Sequence, residues 1–140
     1  MYAETTTLRK LAECSRFYRI MQGGMSSGKT IAALMALVGY AEENPGKFIT
    51  VATDTVPNLR DGAGRDLRNL LEGTNRRPYY SYRATENTWT VRGNGSQIQL
   101  LAMDDPLKAR GSRRDVLYVN EANRLRYDTF DQLASRTRDF

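Results

Sequence analysis

Two short stretches carry residues whose types and spacing suit phosphate chemistry. The first, GGMSSGKT, runs from Gly23 to Thr30 and matches G-x-x-x-x-G-K-[ST]. Glycines let a backbone curl around a phosphate and turn successive N–H groups toward it. A helix starting at the end of such a loop adds the positive end of its dipole. The Lys29 ammonium is placed to neutralise charge on β- and γ-phosphates, and the Thr30 hydroxyl suits Mg²⁺. The expected ligand is therefore ATP with Mg²⁺. Its contacts are expected from Gly23, Gly24, Met25, Ser26, Ser27, Gly28, Lys29 and Thr30.

The second stretch is VLYVNE. Four apolar residues, Val116 to Val119, lead into Asn120 and Glu121. A phosphate loop needs a partner strand that brings an acid to the metal and a base to water, and ligands gather at the C-terminal ends of strands in open α/β sheets. Asn120 stands where the first acid of the usual Asp-Glu pair would be. Its carbonyl oxygen can face Mg²⁺, directly or through water, but carries no charge. Glu121 is the expected base. Asp115, at the other end of that strand, lies roughly 15 Å from Asn120 at the strand rise and is too distant to serve the metal.

Just before this strand, KARGSRRD packs four basic residues into the eight from Lys108 to Asp115. An arginine close to a γ-phosphate speeds its loss, from the same chain or from a neighbour. Arg110, beside Gly111, is the first choice for that finger. Arg113 and Arg114 are alternatives, and a solvated turn or a DNA-backbone contact would also explain the charge.

Composition narrows the chemistry. The 140 residues contain no histidine, which removes imidazole bases, histidine metal sites and Ser-His-Asp catalysis. Cys14 is the single cysteine, so no internal disulfide forms, and a reducing compartment is expected. The longest apolar run, Ile31 to Val38, is far short of the ~20 residues that span a bilayer. MYAETTTLRK lacks the basic-then-apolar order of a secretory signal. A net charge of +5 favours polyanionic partners, nucleic acid above all.

The elements that must position these residues follow from periodicity and breakers. Thr7–Ser15 reads as a short helix, and Phe17–Gln22 as a strand that ends on the Gly23-Gly24 turn. SGKTIAALMALVGYAEEN reads as a largely buried helix that stops at Asn44-Pro45-Gly46. Lys47–Ala52 is expected to be a buried strand parallel to the first. After Pro57 one helix is expected over about Leu59 to Leu71. Strands follow over Tyr79–Ala84, Thr88–Arg92 and Gln97–Leu101, with tight turns at Glu86-Asn87 and Gly93-Asn94-Gly95. Asp115–Asn123 reads as another strand, and Asp128–Arg138 as a helix. The order implies an α/β fold: a mainly parallel sheet flanked by helices, with an inserted β-hairpin.

The combination of GGMSSGKT, TDTVPNLRDGAGRDLRNLL, NGSQIQLLAMDDPLKARGSRRDVLYVNEAN and FDQLASRTR resembles the large subunit of tailed-bacteriophage DNA-packaging terminases, over about Tyr18 to Arg138. The resemblance implies an ASCE-type P-loop NTPase fold and an ATPase that threads double-stranded DNA into a procapsid. It implies a ring, often a pentamer, on the portal protein, with a small terminase subunit as partner, working in the cytoplasm of an infected bacterial host. By position, Gly23–Thr30 match the family's phosphate loop and Asn120-Glu121 its acid pair, while Arg110 falls near its trans-acting finger. Met25 stands where many relatives have a basic residue. Residues 1–140 are expected to be a partial ATPase domain, without the family's nuclease domain. The C-terminal strands of the core are expected to be missing, including a middle strand between the phosphate-loop and acid strands.

Two other readings remain open from the residues: a module that holds nucleotide without turnover, and a different P-loop nucleic-acid ATPase of helicase type. DNA phosphates would be met by Arg60, Arg65 and Arg68, or by Arg76 and Arg77. Tyr79, Tyr80 and Tyr82 are placed either to stack on bases or to pack within the fold.

Overall fold

The structure is a computed structural model, and it describes residues 6–23, 28–73, 75–104 and 113–137. Helix α1 (Thr6–Glu13) comes first, then α2 (Lys29–Glu43), β1 (Phe48–Thr53), α3 (Val56–Asp61) and α4 (Ala63–Glu72). Strands β2 (Tyr80–Arg83), β3 (Thr88–Val91), β4 (Gln97–Ala102) and β5 (Val116–Val119) follow, and α5 (Tyr127–Ser135) closes the order. The sheet runs β2-β3-β4-β1-β5. β1 pairs in parallel with both β4 and β5, and the β2–β3 and β3–β4 pairs are antiparallel. Parallel pairing is thus confined to the half of the sheet that carries the candidate site.

β1 is central because FITVAT is β-branched and almost wholly apolar, and five of its six residues are buried. Its alternation divides the molecule into layers. Ile49 and Val51 pack with Leu34, Leu37 and Val38 of α2 and with Leu67, Leu70 and Leu71 of α4. Ala52 faces the other way and joins Met103 and Leu133 of α5. β5 follows the same rule, with Val116 and Tyr118 on the α2 side and Leu117 on the α5 side. Asn120, two residues beyond Tyr118, therefore emerges toward α2.

Three expectations change. Phe17–Gln22 forms no strand: the segment is irregular, and Phe17, Tyr18 and Ile20 are 48%, 64% and 92% exposed. An extended backbone needs a hydrogen-bonding neighbour; both flanks of β1 are taken by β4 and β5, and the segment does not pair with the outer flank of β5. Among the described residues no strand precedes β1, so the expected parallel pair with Phe17–Gln22 is not formed. Among the described residues β5 is the edge of the sheet, and the place the resemblance gives to a middle strand is filled by none of them. The single helix expected over Leu59–Leu71 is two helices broken at Gly62. The first begins earlier, at Val56, because Pro57 sits in its opening turn and the Thr55 hydroxyl accepts from the Asn58 N–H at 3.3 Å.

Arg114 is a structural residue. It is 1% exposed, and its guanidinium donates from Nε to Thr50 Oγ1 and from Nη1 to the Leu133 carbonyl, each at 3.1 Å. It thereby ties β1 to the end of α5. As an alternative finger it is ruled out: a side chain enclosed between a strand and a helix has no path to a phosphate.

Candidate functional site

Gly28 caps α2 in the left-handed conformation, with φ of +76°. A side chain would be strained there, so glycine at this position is a backbone requirement. The helix then starts at Lys29, and its buried stripe of Ala32, Ala33, Leu34, Leu37, Val38 and Ala41 fixes it against the sheet. Lys29 and Thr30 therefore occupy the first turn of an anchored helix. The Lys29 ammonium reaches back and donates to the Gly23 carbonyl at 2.7 Å, joining the two ends of the loop. Gly24, Met25, Ser26 and Ser27 lie outside the described residues.

Thr30 Oγ1 donates to Asn120 Oδ1 at 3.2 Å across 90 residues of sequence. This bond brings the first turn of α2 to the C-terminal end of β5. The hydroxyl of Tyr118 donates to the same Oδ1 at 3.0 Å. The backbone of Asn120 is fixed in turn, its N–H donating to the Ala52 carbonyl at 2.9 Å. Burial pushes the Tyr118 hydroxyl above its ordinary pKa; the Thr30 hydroxyl partly offsets this, and the charges of Glu121 and Asp66 add to it. A tyrosine hydroxyl is already protonated near neutrality at its ordinary pKa of about 10, so Tyr118 is a donor here.

Glu121 follows in the left-handed region, with φ of +57°, which is uncommon for a residue with a side chain. Such backbone strain clusters at functional sites. The carboxylate is exposed and lies 3.8 Å from Arg124 Nε. The Thr30 hydroxyl is a hard, neutral oxygen donor of the kind a small hard cation takes, while Asn120 Oδ1, which already accepts two hydrogen bonds, would face such a cation through Thr30 or a water. No cluster of three acids or metal-binding side chains occurs among the described residues.

No protein-family model matches the sequence, and no curated protein matches it. Solved structures do match. The ATPase domain of the Thermus phage P74-26 large terminase aligns with a TM-score of 0.76 at 16% identity, over 96% of this chain and 60% of that one. Two crystal forms of the large terminase from a thermophilic bacteriophage align at 0.72 and 0.69, with 17% and 20% identity, over 94% and 81% of this chain. The chain has the fold of a phage large-terminase ATPase domain. It spans 34% and 29% of those two terminase chains, less than two thirds of either. One further structure of the same thermophilic-phage terminase holds ADP and another ATP-γ-S.

Within this terminase fold the expected residues divide. Gly23, Gly28, Lys29, Thr30, Asn120 and Glu121 gather at one end of the parallel half of the sheet. Arg110 lies outside the described residues. Arg113 is exposed, and Arg114 is buried elsewhere. Asp115 works at the opposite end of β5, where its Oδ2 accepts from the Phe48 N–H at 2.7 Å.

Sequence reasoning passed over Tyr118, Asp54 and Gly62. Ala52 pairs with Val119, so Asp54 leaves β1 at the same level as Glu121 leaves β5. A hydrogen bond from Asn58 Nδ2, at 2.8 Å, is the main cause holding the Asp54 carboxyl below the usual range. An acid directly after a buried strand was the available signal. Gly62 stands beside the site: a Cβ there would lie 3.9 Å from Asn120 Nδ2 and 2.7 Å from the Asn58 carbonyl oxygen.

The expected DNA contacts are mostly engaged locally. Arg60 pairs with Asp61 at 3.1 Å, Arg76 with Glu42 at 3.1 Å, and Arg65 lies 3.9 Å from Asp66. The Arg68 guanidinium sits 5.5 Å over the Tyr82 ring, which in turn packs 4.7 Å from Trp89. Tyr80 is buried and donates to Glu42 at 2.9 Å, so it has no face to offer a base. Tyr79 remains exposed. The Arg77 side chain lies outside the described residues.

Proposed function

We propose that the chain is the ATP-hydrolysing motor domain of a phage large terminase subunit, which drives double-stranded DNA into procapsids. The observation that carries the reading is the Thr30–Asn120 hydrogen bond, which brings the phosphate-loop helix and the acid strand to one point. The ADP and ATP-γ-S complexes of the thermophilic-phage terminase support a nucleotide there.

On this reading ATP binds with its β- and γ-phosphates on the N-terminus of α2. Lys29 leaves the Gly23 carbonyl and reaches the phosphates. Thr30 would hold Mg²⁺, with Asn120 behind it, and the ion would supply neutralisation of part of the triphosphate charge. Glu121 orients a water and takes its proton as that oxygen bonds to the γ-phosphorus and the bond to the bridging oxygen breaks. Arg110, from this chain or a neighbour in the ring, stabilises charge on the departing phosphate. The wider assembly is proposed with it: a homo-oligomeric ring, a portal protein, a small terminase subunit, and double-stranded DNA held through its phosphates in a bacterial host's cytoplasm. No described helix is long and apolar enough to cross a membrane.

ATP turnover by the chain, by Lys29→Ala and by Glu121→Gln tests the reading. Both substitutions are expected to abolish turnover, with Glu121→Gln still binding nucleotide. Turnover indifferent to both changes contradicts it. One observation favours a second reading, a nucleotide-binding module without turnover: the Glu121 carboxylate is paired with Arg124, which competes for the expected base. Bound nucleotide with no turnover in the unaltered chain would select that module. DNA unwinding in place of procapsid-dependent translocation would select a helicase-type ATPase.

A further inference from the structure

We propose that Tyr118 is a positioning residue that locks the Asn120 amide with its oxygen toward Thr30, so that an uncharged side chain can do the orienting work of a carboxylate. The proposal rests on the nucleotide-site reading above and extends it to a residue that reading does not use.

A carboxylate presents an acceptor whichever way it is turned. An amide does not, because one of its ends is a donor. Were the Asn120 amide reversed, its NH₂ would face Thr30, and the threonine hydroxyl would become the acceptor. Its proton would then point to where a cation must sit. Asn at this position therefore needs a device that selects one orientation. Tyr118 and Asn120 are two apart at the end of β5 and so share a face. The Tyr118 hydroxyl donates to Oδ1 at 3.0 Å, beside the Thr30 donation at 3.2 Å. Both lone pairs of that oxygen are then filled. With the Thr30 proton directed to Asn120, the hydroxyl oxygen keeps a lone pair for a metal. Asn120 itself meets the metal through Thr30 or a water, not directly. On its other side the amide nitrogen borders Gly62 at the break between α3 and α4.

Four proteins test this: the natural chain, Tyr118→Phe, Asn120→Asp and the double variant. Phenylalanine keeps the ring that packs against the α2–α4 core. The first measurement is calorimetric binding of ATP-γ-S with Mg²⁺ and with EDTA. Loss of one ordinary hydrogen bond predicts that Tyr118→Phe cuts the Mg²⁺-dependent gain in affinity about three- to tenfold. Binding in EDTA should change less than about twofold. With Asp at 120, adding Tyr118→Phe should also change the gain by less than about twofold, because a carboxylate has no wrong end. Equal losses in both backgrounds, or no loss in either, overturn the proposal.

The second measurement needs no nucleotide. The Asn120 side-chain NH₂ should give one sharp pair of ¹⁵N-correlated resonances in the natural chain, and a doubled or exchange-broadened pair in Tyr118→Phe. A single unshifted pair in Tyr118→Phe overturns the proposal. Absence of Mg²⁺-dependent binding in the natural chain would remove the nucleotide-site reading, while the amide spectrum still decides what Tyr118 does.

Discussion

Replacing Arg114 by alanine separates a structural arginine from a catalytic one. The guanidinium is 1% exposed and makes two hydrogen bonds of 3.1 Å, to Thr50 and to the Leu133 carbonyl. Hydrogen bonds from a charged donor contribute about 1.5–3 kcal/mol each, so two contribute roughly 3–6 kcal/mol. Part of this is offset by the cost of burying the charge. That cost is visible in the lowered pKa of Arg114, caused first by burial and then by the charge of Arg136. A net loss of about 2–4 kcal/mol is expected. At about 3 °C per kcal/mol for a domain of this size, Tm should fall by roughly 6–12 °C. Thermal melts by circular dichroism, with urea unfolding beside them, read the change. Arg113→Ala is the control: the residue is exposed, and its replacement should stay within about 0.5 kcal/mol. If Arg114→Ala melts like Arg113→Ala and instead loses ATP turnover, Arg114 reaches the phosphates and the structural assignment is wrong.

Asn58→Ala should raise the Asp54 pKa, since the Asn58 hydrogen bond is the main cause of its lowering; carbon-detected NMR titration reads it, and an unmoved midpoint would contradict the assignment. Because that carboxyl is lowered in the folded chain, its contribution to stability is present above the ordinary carboxylate range and is lost as pH falls through its folded pKa, so Asn58→Ala should melt with less dependence on acid pH. Gly62→Ala should destabilise by about 1–3 kcal/mol, because its Cβ would meet the Asn58 carbonyl oxygen at 2.7 Å and a backbone atom cannot yield cheaply. Gly39→Ala, inside α2 with nothing within 4 Å of the new Cβ, should stabilise by about 0.5–1 kcal/mol. Urea midpoints for the two glycine variants should move in opposite directions, and a shared direction would count against the packing described here.

Much of the fold was legible because strong local signals agreed with tertiary demands. The Ala- and Leu-rich helix after Lys29, its stop at Asn44-Pro45-Gly46 and the buried strand beyond it all lie where periodicity puts them. The Asn94-Gly95 turn joins β3 to β4 as expected, and the Asn94 side chain also donates to the Ala41 carbonyl, docking the turn on the end of α2. Phe17–Gln22 failed for a non-local reason. Its pattern is extended, but a strand exists only where a neighbour supplies hydrogen bonds. Arg114 was hidden in a run of charge, where spacing says nothing about which member is enclosed. Tyr118 was hidden in an apolar run, since its hydroxyl stands out only once the fold brings it and Thr30 to the same Asn120 oxygen. The G-x-x-x-x-G-K-[ST] pattern singled out Thr30 and the apolar strand ending in Asn-Glu singled out Asn120, and the fold brings these two into hydrogen-bond contact. The finger residue rested on charge alone.

The most direct measurement is a crystal structure with ATP-γ-S and Mg²⁺. The account predicts the γ-thiophosphate between the Lys29 ammonium and the Glu121 carboxylate, with Lys29 released from the Gly23 carbonyl and Thr30 on the metal. Nucleotide bound elsewhere, or Lys29 still joined to Gly23 with a triphosphate in the crystal, would contradict it.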